Sequence, residues 1–158
     1  MKQIFLSIQK ELEKITELKH IDKNWGQLLY EQPPVKFPCA LLDLEKADYT
    51  QLGNLAQKAT GIVEITIANF RLTNSSGKAP RKEEAYAVMD IIEKIHQLLH
   101  GWSDGETFQR LIRINVQKLD ASYAYEIYKI SFQTAWEVRK ETNLIPLEKS
   151  PNIVITAQ

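Results

Sequence analysis

Three consecutive stretches decide the fold: AYAVMDIIEKIHQLL (residues 85–99), FQRLIRINVQK (108–118) and YEIYKISFQTAW (125–136). In the first, Ala85, Val88, Ile92, Ile95 and Leu99 recur at spacings of three and four, the period of a helix with one apolar stripe. The next two switch to period two. Ile112, Ile114 and Val116 alternate with Arg113, Asn115 and Gln117. Tyr128, Ile130, Phe132, Thr134 and Trp136 alternate with Lys129, Ser131 and Gln133. The link Leu119–Ala124 is too short for a crossover helix, so these two strands are expected to form an antiparallel hairpin.

Working outward, the N-terminal half repeats the order. Ile4, Ile8, Leu12 and Ile15 predict a helix over 2–19. Its Lys10/Lys14 and Glu13/Glu17 pairs are like-charged, so core packing must hold it. Residues 21–36 read as a connector, because Pro33-Pro34 forbids a helix; its Trp25, Leu29 and Tyr30 predict that it packs down on the domain. Strands are predicted over 37–45 and 59–72, the second from the alternation of Val63, Ile65 and Ile67 with Glu64, Thr66 and Ala68. The link 46–58 is longer than a tight turn and reads as either a short helix or a flap. TNSSGK (73–78) is a loop, Pro80 opens the second helix, and Gly101 stops it after His100. The result is an α+β class: a single domain over 1–140 in α-β-β-α-β-β order, with a mostly antiparallel sheet packed against two helices. Residues 141–158 form a C-terminal extension. Its apolar run Ile153, Val154 and Ile155 is either a fifth strand or an arm that adds to a neighbouring subunit's sheet.

The 158 residues suffice for a core without metal or disulfide support. Twenty basic and twenty acidic residues balance, so there is no global pull toward nucleic acid or an anionic membrane. The N-terminus does not read as a signal peptide, since Glu11, Glu13 and Lys14 interrupt it, and no window approaches the ~20 apolar residues of a membrane span.

Candidate chemistry is sparse. Cys39, in the apolar run FPCALL (37–42), reads as a small core residue without a partner base. His96 and His100 share a helix face, but the Glu that accompanies this spacing in zinc proteases is missing, and His20 has no set relation to them. Asp104-Gly105-Glu106 reads as a turn rather than an acid pair. Tyr128, Phe132 and Trp136 share a parity that faces the core, whereas Tyr123 and Tyr125 fall at the hairpin end. No catalytic, cofactor-binding or metal-binding residue is assigned. Arg71, Asn74, Ser75, Ser76, Gly77, Lys78, Arg81 and Lys82 form a locally basic, polar segment that reads as an interaction loop. Solvation alone accounts for the charges; the second reading is contact with an acidic subunit surface or, non-specifically, DNA.

The helix, the FPCALL strand, the second strand ending in a polar loop, the Ile-rich central helix and the strand YEIYKISFQT (125–134) together resemble the tail terminator and tail-completion proteins of long-tailed bacteriophages and prophages, over residues 2–137. The resemblance implies a structural protein without catalytic residues. It implies a homo-oligomeric ring, hexameric in the family, that caps the tail tube and meets the head–tail connector. The protein would lie in the virion tail, and in the bacterial cytoplasm before assembly. Stretch 37–58 and loop 72–80 would be the segments that order on assembly. The Pro33-Pro34 connector and the C-terminal extension depart from the pattern. A nucleic-acid-binding α+β module is the alternative reading; a small enzyme built on Asp104, Glu106 or a histidine is the weakest.

Overall fold

Seven principal elements follow one another in a computed structural model that describes residues 1–70, 75–119 and 125–140. They are α1 (Lys2–Leu12), β1 (His20–Lys23), β2 (Cys39–Gly53), β3 (Ala56–Phe70), α2 (Ala87–Leu99), β4 (Ile112–Leu119) and β5 (Tyr125–Arg139). Single 3-10 turns occupy Gln27–Leu29 and Lys82–Tyr86. The strands form one sheet in the order β1-β2-β3-β5-β4. Only β1 and β2 run parallel; the other three pairings are antiparallel. The α+β class therefore stands, with one strand more than the αββαββ order.

That strand, β1, spans the start of the stretch 21–36 read as connector. Four residues are too few for a periodic signal, and the pairing is non-local: His20–Lys23 against Cys39–Leu42. It is secured behind by Gln27, a fully buried polar side chain. Its Nε2 donates to Lys23 O at 2.8 Å and to Asp22 Oδ2 at 3.2 Å, while its Oε1 accepts the Trp25 N–H at 2.9 Å. Every polar atom of the amide thus has a partner, which burial requires. Gly26, at φ +91°, supplies the left-handed residue of that turn.

Helix α1 stops at Leu12, short of residue 19. Lys14 N–H turns to Glu11 O and Ile15 N–H to Leu12 O, and Lys19 N–H reaches Pro38 O to start the parallel pairing. Ile15 and Leu18 remain buried although they have left the helix. The apolar stripe thus marked the core correctly but overran the helix end. The second helix begins later than Pro80: Lys82–Tyr86 is 3-10, and α2 buries Val88, Ile91, Ile92, Ile95 and Leu99.

The link 46–58 is neither helix nor flap. It is the continuation of β2 and β3, which run fifteen residues each and close through Asn54-Leu55. The polar run in it hid the strands because their outer half is largely exposed among the described residues. Within stretch 37–58, residues 39–53 and 56–58 are strand.

Both helices lie on one face of the sheet. Ile4, Ile8 and Leu12 of α1 and the buried residues of α2 pack against Leu42, Ile65, Ile67, Ile130 and Phe132. Tyr128, Phe132 and Trp136 join this core, as their parity required. On the opposite face Cys39, Leu41, Ala68 and Ile127 form a second cluster, covered by Leu28, Val35, Phe37, Leu119 and Tyr125. The connector does pack down, but through Leu28, Val35 and Phe37. Trp25, Leu29 and Tyr30 point outward, Leu29 at 89% exposure. Tyr125, placed at the hairpin end, is half-buried and donates its hydroxyl to Leu28 O at 3.0 Å.

Cys39 is fully buried, and desolvation pushes its thiol up to about 11 despite N–H donors nearby. Two results follow. A thiol reagent will label folded protein at least ~10³-fold more slowly than unfolded chain, since access requires opening. Because the folded pKa lies above the unfolded one, stability is undiminished below the ordinary thiol range and declines as pH rises through it. Labelling kinetics and a denaturation series between pH 7 and 10 check both; rapid labelling at neutral pH would show that Cys39 is reachable.

Candidate interaction surfaces

The register leaves two long strand edges without a neighbour among the described residues. On one side, β1 covers β2 only from Cys39 to Leu42, so the outer edge of β2 is open from Asp43 to Gly53. This edge is acidic: Asp43, Glu45 and Asp48 outnumber Lys46, which pairs with Asp48 at 2.8 Å. Its outer half, together with the hairpin tip and the end of β5, exposes Tyr49, Leu52, Leu55 and Val138. A bulge between Leu44 and Lys46 bends the strand where this outer half begins.

On the other side, β4 is an edge strand along its whole length. It was expected to hold Ile112, Ile114 and Val116 on one face. A bulge between Arg113 and Asn115 breaks that parity. All three side chains are instead exposed, at 45%, 48% and 41%. Three apolar residues in the open on an eight-residue edge form a strand-pairing template. The edge carries Arg113 and Lys118. Lys118 reaches Glu126 at 3.7 Å and lies over the Tyr128 ring, 5.6 Å from its centroid.

A third surface is a groove of about 820 Å³ beneath the connector, flanked by Leu29, Tyr30, Phe37, Phe70 and Tyr125. The Phe37 ring packs at a tilt against Phe70, with 4.3 Å between ring centres, and against Tyr125 at 5.5 Å.

Of the interaction loop, Arg71 and Asn74 lie outside the described residues, as do Ile153, Val154 and Ile155 of the arm. Ser75, Ser76, Gly77, Lys78, Arg81 and Lys82 are all exposed. The loop is less basic than its sequence suggests. Arg81 donates from Nε to Glu84 Oε1 at 2.7 Å and from Nη2 to Oε2, and this pairing holds the Glu84 carboxyl below its usual range. Lys82 Nζ points back to Gly77 O at 3.4 Å.

Asp104 and Glu106 do not converge. Asp104 organises its own turn: Oδ1 accepts the N–H groups of Thr107 at 2.8 Å and Glu106 at 3.1 Å, and Oδ2 accepts Ser7 Oγ at 3.0 Å. Burial alone would raise its pKa, but these donors together bring it below the ordinary value. Glu106 instead borders an open cavity of about 490 Å³ with Lys58 and Glu137. The His96 and His100 rings lie 4.8 Å apart. His100 Nδ1 accepts the Arg113 N–H at 3.1 Å, and desolvation, then Arg113 and His100, lower the His96 pKa. His20 is on β1, beside Asp22 at 3.8 Å. Among the described residues no group of three or more His, Cys, Asp or Glu could hold a metal ion, and no helix is long and apolar enough to cross a membrane.

Sequence reasoning missed the two open edges. Edge position depends on which strands pair, and no periodicity encodes it. The one available signal was the charged, apolar-poor outer half of β2.

No family model matches the chain, and none of the curated proteins compared with it matches. Among solved structures, it is similar to a chain from the virion of a native gene transfer agent (GTA) particle, with a TM-score of 0.49 and 10% identity over 87% of this chain and 95% of that one.

Proposed function

We propose that this chain is a structural subunit of a phage-like tail, a tail terminator or tail-completion protein that closes into a ring on the end of the tail tube and there meets the head–tail connector. The observation that carries the reading is the pair of open edges at opposite sides of one sheet, each with exposed apolar side chains. A surface of this kind is built for contact with other protein chains. The sequence resemblance over 2–137 supplies the particular role. The exposed loop 75–82 offers less free positive charge to a phosphate backbone than its sequence suggests, since Arg81 is already engaged by Glu84.

The test is electron microscopy and mass measurement of the concentrated protein, alone and with purified tail tubes. Closed rings, and rings seated on tube ends, are the expected result. A protein that stays monomeric and ignores tubes overturns the reading. Steeply salt-dependent DNA binding in the same preparation would point to the nucleic-acid module instead.

A further inference from the structure

The two edges complement each other. The open stretch of β2 carries Asp43, Glu45 and Asp48 against one lysine, Lys46, which pairs with Asp48; β4 carries Arg113 and Lys118 and no acid of its own, Lys118 lying 3.7 Å from Glu126 on β5. They lie at opposite sides of the same sheet. Pairing either edge with its own copy about a two-fold axis would bring like charges together. The two edges suit a heterologous, head-to-tail contact.

Direction agrees with charge. Each neighbouring pair from β2 through β3 and β5 to β4 is antiparallel, so β4 runs opposite to β2. When copies follow one another in the same orientation, β4 of one therefore meets β2 of the next antiparallel, the better-bonded arrangement. We propose that copies of this chain join head to tail by strand addition, the acidic open edge of β2 in one pairing with the basic open edge of β4 in the next. Exposed Ile112, Ile114 and Val116 then come against Tyr49 and Leu52 of the neighbour.

The register adds a constraint. Through β5 and β3, β4 lies level with the inner part of β2, which β1 partly covers, whereas the open part extends toward the hairpin tip. Successive copies must therefore step along the strand direction. Such a stagger closes only if the strands tilt against the ring axis, as in a barrel.

This inference rests on the self-association in the reading above and names the contact that makes it. Two variants test it in the full chain: Arg113→Glu/Lys118→Glu, which makes β4 acidic, and Glu45→Lys/Asp48→Lys, which makes β2 basic. Glu45, Asp48 and Lys118 are exposed and Arg113 is half-buried, so circular dichroism and a melt check the fold of each variant, and Lys118→Glu alone serves if the double substitution destabilises the monomer. Like charges then face each other in each variant alone, and sedimentation equilibrium should show association weakened about tenfold or more. An equimolar mixture places opposite charges at every contact of an alternating array and should recover wild-type association.

Hydrogen exchange on the unaltered protein gives a second readout: amides of 43–53 and 112–119 should gain protection as concentration rises. Variants that assemble like wild type, a mixture that fails to recover, or edges that gain no protection overturn the inference. Rings that persist in both variants overturn it while leaving the ring reading intact. Open filaments that disperse in the variants support the strand contact and overturn the closed ring. A wild type that is monomeric at its highest soluble concentration overturns both.

Discussion

Replacing Phe132 by alanine should cost about 3–5 kcal/mol, a large share of the roughly 5–15 kcal/mol that holds an ordinary domain together. Phe132 heads the fully buried side chains by volume and sits mid-strand in β5. Its rung partners are Val63 on β3 and Arg113 on β4, and the helices close over it. Truncation leaves a cavity where central strands and helices meet, a place with little freedom to collapse. The measurement is the shift in denaturation midpoint at constant slope. Phe132→Leu keeps most of the volume and should cost far less. Ile112→Ala, on the open edge, should change monomer stability by no more than about 0.5 kcal/mol. Equal losses at positions 112 and 132 would mean that the burial described for β4 and β5 is wrong.

Gly61→Ala is the second expected large effect, and its cause is steric. A Cβ at position 61 would stand 2.7 Å from Trp136 Cη2 and 2.9 Å from Lys46 O. The indole of Trp136 lies across the strand, buried in the helix-side core, and needs a residue without a side chain beneath it. Overpacking of this kind costs about 1–3 kcal/mol, and the upper part of that range applies because one obstacle is backbone. Pairing Gly61→Ala with Trp136→Leu should give a combined loss smaller than the sum by about 1 kcal/mol, since the smaller side chain removes the ring clash. Part of the penalty should remain, because Lys46 O does not move with the indole. Strict additivity of the two substitutions in a thermal or chemical melt would refute the contact.

Legibility from the sequence followed burial. Ile8, Ile95 and Phe132 were assigned to the core from spacing alone, since a helix or strand with one side on a core must repeat at its own period. Where chain lies open on both sides, the pattern fails. The outer half of β2, with Lys46, Asp48 and Thr50, reads as a link yet is strand, because pairing with β3 supplies its order. On β4 the period was present and misled: Ile112, Ile114 and Val116 alternate properly, but the bulge after Arg113 rotates them away from a shared face. Gln27 gave no signal, since a polar residue becomes interior only when Lys23 O, Asp22 and the Trp25 N–H converge on it. The exposure of loop 75–82 was legible by composition and the open edges were not, because an edge is a property of strand order.

The pairing of β3 with β5 bears on how the molecule is made. Its rungs run without interruption from Phe70↔Tyr125 to Ala56↔Arg139, joining residues dozens of positions apart with α2 and β4 between them. Closing so wide a loop costs entropy before any rung is gained, so acquisition of the native state will be slow beside that of a helical bundle of this size. Until the last strand emerges from the ribosome, β3 offers its own free flank to any chain nearby. Nascent copies held close together on one message thus risk exchanging strands at the centre of the sheet, where a wrong partner is hardest to expel.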